Sequence, residues 1–346
     1  MLKATYHKLI LQFHAPAATS RGYLDAKASY IISLYDAENE LIKGTGECSL
    51  IQGLSPDPES GYEEMLTRVC NNPQYNLSFS DPVLDPFPSI RFGLEMAWHD
   101  LKSGGKGVLF ESDFTRGKAG IPINGLIWMG TKQSILQQIK ACIDEGYRCI
   151  KMKIGAMNFE DEMGLLKKVR QEFPAHEMEL RLDANGAFHP IEALEKLKRL
   201  SDYELHSIEQ PIKAGQWEAM ARLCENPPVP VTLDEELFAK GADENKEQLL
   251  RAIHPQYLVL KPSMLGGFSK SKEWIALANN ANIGWWITSA LESNIGLNAI
   301  AQWTYTLNNP GYHGLGTGKL FSNNLLMRTM IENGFLKMSP HQIPHG

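Results

Sequence analysis

The five cysteines, Cys48, Cys70, Cys142, Cys149 and Cys224, contain no C-x-x-C pair and form no even framework, which argues against a disulfide-built scaffold. They read as reduced, mostly buried thiols, so the expected location is the cytoplasm. No apolar run approaches the roughly 20 residues that cross a bilayer. Residues 1–18 lack the cationic start and sustained apolar core of a signal peptide, and no membrane partner is expected. A net charge of −6 leaves no basic excess, so a general nucleic-acid binder is disfavoured. The ten histidines include no H-x-H and no H-E-x-x-H, which disfavours a zinc hydrolase.

What is present is ordinary in bulk. The hydrophobic fraction is 43% and the charged fraction 21%, typical of a soluble globular chain. A length of 346 residues accommodates one large domain with a smaller one, or two of medium size. Residues 6–13, 28–35 and 41–47 have strand character, with a turn at 36–39, and predict an antiparallel meander. Residues 14–23, with Pro16 and Gly22, are expected to form a mobile loop, and residues 49–58, with Gly53, Pro56 and Pro58, a second loop. Ser89 is placed as the cap of a helix with Ile90, Leu94, Ala97 and Leu101 on its apolar face, stopped by Gly104 and Gly105. Residues 1–118 thus read as an α+β unit.

From Gly120 the pattern changes to short apolar strands alternating with amphipathic helices. Strand centres fall near Ile123, Met152, Leu182, Ser207, Leu233, Leu260, Ile287 and His313, spaced 25 to 30 residues apart, as repeated βα units require. Phe159, Met163, Leu166 and Phe173 form one helical stripe between them; Ile191, Leu194, Leu197 and Leu200 form another. Eight strands in about 200 residues indicate a β/α barrel. A doubly wound sheet would carry a G-x-G-x-x-G after its first strand, and residues 123–130 do not match it. The barrel is assigned to residues 119–318. Residues 319–346 are expected to return to the N-terminal unit.

Catalytic groups of such a barrel lie at the C-terminal ends of its strands. Lys151 and Lys153 stand two apart in an apolar run, so both leave one face of a strand. Their mutual repulsion is expected to favour loss of a proton from one of them, and a lysine so tuned serves as a base. Asp183, Glu209 and Asp234 end three successive strands. Singly, each is more simply a helix cap; three in succession, between lysine-bearing strands, need a cation to relieve their repulsion. Hard oxygen ligands suit Mg2+, with Mn2+ as a substitute. Lys261 interrupts the apolar strand at 257–261 and would face Lys153 across the metal. A metal that holds a substrate carboxylate acidifies the neighbouring C–H, and a lysine on either side can move that proton. The expected ligand is therefore a small-molecule carboxylate.

Other positions have plainer alternatives. Asn185 either touches the site or shapes the turn before Gly186, and Glu235 is expected to orient a metal-site group. Ser289 either offers a hydroxyl to an anionic substrate or simply ends a strand. Gly314, Gly316 and Thr317 either present backbone N–H groups to a carboxylate or form a glycine-rich turn.

Taken in order, these motifs resemble the enolase superfamily in its muconate-lactonising subgroup: K-x-K at Lys151 and Lys153, D-x-N at Asp183 and Asn185, and E-Q-P at 209–211. They continue with D-E at Asp234 and Glu235, K-P-S at 261–263 and E-S at Glu292 and Ser293. Residues 44–49 and 53–56 resemble the loops of that family's capping domain. The resemblance implies an α/β fold, a modified (β/α)7β TIM-type barrel under an N-terminal α+β capping domain. It also implies Mg2+ on Asp183, Glu209 and Asp234, with Lys153 and Lys261 as catalytic residues and Lys151 as the neighbour that lowers the pKa of Lys153. The family's dipeptide epimerases carry an acidic D-x-D at the end of strand eight, where this chain has residues 314–318 and no acid. A neutral end suits an anionic succinyl tail, and the expected reaction is the family's Mg2+-dependent syn dehydration to o-succinylbenzoate, a step of menaquinone biosynthesis. The alternatives are N-acylamino acid racemisation or dipeptide epimerisation on the same site, and, outside catalysis, a binding barrel.

Overall fold

In the computed structural model of the chain, residues 1–19, 22–79, 81–128, 130–326 and 328–339 are described. The N-terminal part is a three-stranded antiparallel sheet of β1 (Leu2–Thr19), β2 (Gly22–Asp36) and β3 (Asn39–Ser49), in that order. Helices α1 (Tyr62–Asn71) and α2 (Pro88–Lys102) follow. Tyr30, Ile32, Leu34, Cys48, Leu66, Val69, Ile90 and Leu94 are buried together between sheet and helices. β3 lies unusually close to α2: a Cβ at Gly46 would fall 1.8 Å from the Gly93 carbonyl oxygen, and one at Gly44 1.9 Å from that of Ala97. Only glycine permits this approach.

The first expected loop is largely strand. Its described part, 14–19 and 22–23, belongs to β1 and β2, and residues 20–21 lie outside the described residues. A register shift between Gln12 and Ala17 absorbs the irregularity of the small-residue, proline-containing stretch, as a bulge does. Ser89 does not cap α2, which starts at Pro88 after Phe87. Its N–H and hydroxyl both go to Asp57, at 3.0 and 2.7 Å, so an acid from the loop before α1 satisfies this end.

β4 (Gly120–Pro122) comes next, outside the parallel sheet, and is followed by the barrel strands β5 (Gly125–Ile127), β6 (Cys149–Lys153), β7 (Glu179–Asp183) and β8 (Ser207–Glu209). They continue with β9 (Val231–Leu233), β10 (Tyr257–Leu260) and β11 (Gly284–Ile287). Helices α3 (Lys132–Asp144), α4 (Phe159–Glu172), α5 (Pro190–Leu200), α6 (Trp217–Glu225) and α7 (Lys246–Ile253) fill the crossovers. α8 (Pro262–Leu265) and α9 (Gly267–Asn280) follow β10, and α10 (Asn294–Thr306) follows β11. β5 to β11 form one parallel sheet in sequence order. Single parallel bridges close it through an eighth, very short strand, Thr288 with Gly314 and His313 with Ile123. The fold is a (β/α)7β barrel carrying an antiparallel N-terminal unit.

The stripe expected on α5 is only half buried. Leu197 and Leu200 are fully covered, whereas Ile191 and Leu194 are exposed and Ala193 takes the inner position. The C-terminal segment divides between two places. Residues 320–323 lie along β1, with His14 donating to the Leu320 carbonyl at 3.0 Å and Ser322 to that of Gln12 at 2.8 Å. β12 (Thr329–Glu332) and β13 (Phe335–Met338) instead form a hairpin that pairs with β4. Residues 340–346 lie outside the described residues.

Candidate active site

Three neighbouring parallel strands, β6, β7 and β8, end in Lys153, Asp183 and Glu209, and Asp234 and Lys261 stand just past the ends of β9 and β10. Register pairs Lys153 with Asp183 and Asp183 with Glu209, so three neighbouring strands present charge at the same level. The Lys151 ammonium lies 2.7 Å from Glu209 Oε2 and 3.2 Å from Asp183 Oδ2. Lys153 Nζ donates to Asp183 Oδ2 at 3.2 Å and to Asn185 Oδ1 at 2.6 Å. On the other side of the mouth, Lys261 Nζ donates to Asp234 Oδ2 at 2.5 Å.

Asp183, Glu209 and Asp234 are fully buried, and one oxygen of each lies within 4.8 Å of the others. Glu209 Oε1, Asp234 Oδ1 and Glu235 Oε2 are buried acceptors without a protein partner. Buried carboxylate oxygens left so are costly. A hard divalent cation among them removes that cost, and the all-oxygen donor set suits one. The residues fit a metal site.

The electrostatics follow from burial and crowding. Burial pushes the Glu209 carboxyl up to about 7; Asp183 and Asp234 push the same way and Lys151 opposes them. Glu235 is raised to about 7 by burial, reinforced by Asp234 and opposed by Lys261. Asp183 moves down: burial alone would raise it, but Lys153, Lys151 and Lys261 together outweigh burial. Burial would lower Lys151, yet Glu209, Asp183 and Asp234 raise it above the usual lysine value. Lys151 therefore stays an ammonium. Asp234 and Glu235 likewise raise Lys261 against its burial.

Backbone geometry shapes the rim. Asn185 has φ +43°, a left-handed conformation that asparagine tolerates, and its Nδ2 donates to Glu235 Oε1 at 2.9 Å. Asn185 thus makes the turn before Gly186 and links Lys153 to Glu235. Gln210, φ +38°, accepts from the backbone N–H of Asp234 at 3.1 Å and of Glu236 at 3.3 Å. It locks the end of β8 to the end of β9, a job that its place between Glu209 and Pro211 did not suggest.

These residues open into a cavity of about 280 Å3. Lys151, Lys153, Asp183, Asn185, Glu235 and Lys261 line one part, and Ser289, Gly316 and Thr317 another. Ser289 and Thr317 share a hydroxyl–hydroxyl hydrogen bond of 2.6 Å. Beside them, the closing bridge brings Gly314 so close to Thr288 that a Cβ on residue 314 would lie 2.1 Å from the Thr288 hydroxyl oxygen. Ile51 and Leu54 enter from the N-terminal unit, and Asn124, Trp128, Tyr147, Met264 and Leu291 come from the barrel. Sequence reasoning named none of these seven individually. For Ile51 and Leu54 the signal was the loop at 49–58; the others are apolar or amide residues in apolar surroundings, where packing and site lining look alike.

An acidic triad with two facing lysines at the mouth of a (β/α)7β barrel defines an enolase-type enzyme, and the chain belongs to the enolase superfamily: the model described as Enolase C-terminal domain-like matches residues 134–341. Among individual proteins, it is 45% identical to the o-succinylbenzoate synthase of Desulfotalea psychrophila, over 98% of this chain and 99% of the relative. The crystal structure of MenC from Desulfotalea psychrophila superimposes with a TM-score of 0.85 at 43% identity, covering 97% of this chain and 99% of that one. An N-succinylamino acid racemase of Thermus thermophilus is 31% identical over 68% of this chain and 62% of its own length.

Proposed function

We infer that the chain is a hydro-lyase, an o-succinylbenzoate synthase that removes water from 2-succinyl-6-hydroxy-2,4-cyclohexadiene-1-carboxylate in menaquinone biosynthesis. The 45% identity along the full length of a relative of that name carries this assignment. The site supports it chemically: three carboxylates and three lysines, all buried or nearly so, meet at one cavity mouth. Mg2+, for which Mn2+ would substitute, would be held by Asp183, Glu209 and Asp234 and supplies positive charge beside the substrate carboxylate.

The protein's own groups do the rest. Lys153, as the free amine, takes the proton from the carbon next to the carboxylate. It returns that proton to the hydroxyl leaving from the same ring face, so that one water departs and the ring becomes aromatic. Lys261 approaches from the opposite wall and stabilises the electron-rich ring by charge and a cation–π contact. Asn185 and Glu235 hold Lys153 in place, while Ser289, Gly316 and Thr317 meet the succinyl tail at a strand end without an acid. Ile51 and Leu54 help to exclude water. The cytoplasm is the proposed location, consistent with five free cysteines.

Purified protein with Mg2+ is expected to convert the cyclohexadiene acid to o-succinylbenzoate, EDTA to stop it, and Mg2+ to restore it. Lys153→Ala and Lys261→Ala should each lose turnover while keeping the wild-type circular dichroism spectrum. Near-wild-type turnover by both variants would falsify the mechanism. A second reaction, racemisation of N-succinylamino acids, is favoured by the presence of Lys153 and Lys261 in one cavity. Deuterium entry at the α-carbon with inversion, in D2O, would reveal it.

A further inference from the structure

We propose, on the reading of the site given above, that Lys27 is a positioning residue for this reaction, a buried lysine on the N-terminal sheet whose Nζ pins the two loops roofing the cavity. Lys27 lies on β2 with only 5% of its surface exposed. Its Nζ donates to the Leu291 carbonyl at 2.7 Å and to the Ser49 hydroxyl. Both partners begin or belong to cavity walls. Ser49 is the last residue of β3 and leads into the loop that brings Ile51 and Leu54 to the cavity; Leu291 follows Ser289 and Ala290 in the wall after β11.

Leu291 has φ +59°, a left-handed conformation that costs a leucine about 1 kcal/mol or more. Such a residue persists only where its surroundings hold it, and Lys27 holds its carbonyl. The apolar core of the roof is small: Ile51, Met264 and Ala290 form a buried cluster against which Leu24, Leu54, Phe238 and Leu291 pack. With only three fully buried apolar side chains there, the polar tie from Lys27 joins the two loops directly.

Burying an ammonium is unfavourable unless it is compensated. Burial pushes the Lys27 pKa below the usual lysine value, and the charges of Glu47 and Glu292 oppose that shift without cancelling it. Each of these acids is engaged elsewhere. Glu292 accepts from Ser263 Oγ at 2.5 Å and Ala290 N at 2.7 Å. Glu47 accepts from Ser29 Oγ at 2.6 Å, Ser293 N at 2.9 Å, Ser293 Oγ at 2.6 Å and Gly296 N at 3.0 Å. Glu47 therefore already joins the sheet to the start of α10. A further tie for the fold alone would not need Lys27 to choose two loop residues beside the cavity.

Lys27→Met keeps most of the stem and removes the donor. Hydrogen–deuterium exchange should rise about tenfold or more in residues 49–54 and 289–292, with β7 unchanged. On the cyclohexadiene acid, KM should rise about tenfold while kcat stays within about threefold, because the roof touches substrate and not the transferred proton. Ser49→Ala should loosen 49–54 alone, and it tests the same tie if Lys27→Met does not fold. Wild-type exchange in both loops of Lys27→Met, or a fall in kcat at unchanged KM, overturns the proposal. If the wild-type protein does not turn over the acid, the functional assignment fails and the exchange experiment still decides the role of Lys27.

Discussion

At Lys151 an ammonium lies within 3.2 Å of two of the three carboxylates of the proposed metal site. It offsets part of their charge, and removing it makes the site more negative. Lys151→Met is therefore expected to bind Mg2+ at least as tightly as wild type by calorimetry, although turnover falls about a hundredfold. Weaker Mg2+ binding would contradict the placement of its charge. Glu209 supplies a second test. Its carboxyl is raised to about 7 in the metal-free protein, chiefly by burial, and a metal ligand must be deprotonated. Above pH 7 the site is ready; below it, each binding event expels a proton. Mg2+ affinity should fall as pH drops from 7 to 5, by up to about tenfold per unit. Calorimetry in buffers of different ionisation enthalpy should detect the released proton.

Among the elements, the barrel was legible because each βα unit repeats the same alternation of apolar strand and amphipathic helix. The observed β6 to β11 contain or adjoin the centres placed at Met152, Leu182, Ser207, Leu233, Leu260 and Ile287. The two strands that close the ring were harder to see in detail, since Ile123 and His313 meet through isolated bridges only. Lys151, Lys153 and Lys261 stood out as charges interrupting apolar strands. Glu47 ends the expected strand 41–47 and Lys27 lies just before the expected strand 28–35, in a unit read only as an antiparallel meander. What hid them was the burial of that sheet edge against the barrel, a tertiary fact. His313 itself makes a prediction. Burial lowers its pKa to about 4; its Nδ1 accepts from Ile287 N at 3.0 Å, so the folded ring is neutral. The unfolded histidine takes up a proton near 6.5. Between those values the unfolded state binds more protons, so stability is full above pH 6.5 and falls as pH falls towards 4. The loss from this residue is about 3 kcal/mol. Urea titrations at pH 7 and pH 4.5 should show most of it, and His313→Gln should flatten the dependence.

For the whole molecule, metal and stability are coupled through the place of the triad. Asp183 and Glu209 end β7 and β8, and Asp234 lies just past β9, so an ion among them ties together three strands of the barrel wall. The unfolded chain scatters these residues and offers no such site, so Mg2+ at the proposed site would bind the folded state preferentially. At about a hundred times Kd the gain is about 2.7 kcal/mol. Over 346 residues the unfolding entropy is about 0.7 kcal/mol/K, so Tm should rise by roughly 4 °C. Glu209→Gln is close in shape and replaces a carboxyl that burial already holds near 7. It should leave the metal-free Tm within a few degrees of wild type and abolish the Mg2+-dependent rise. Differential scanning fluorimetry with and without EDTA checks both. A rise that survives in Glu209→Gln would place the ion elsewhere, and the facing lysines would then have no metal between them.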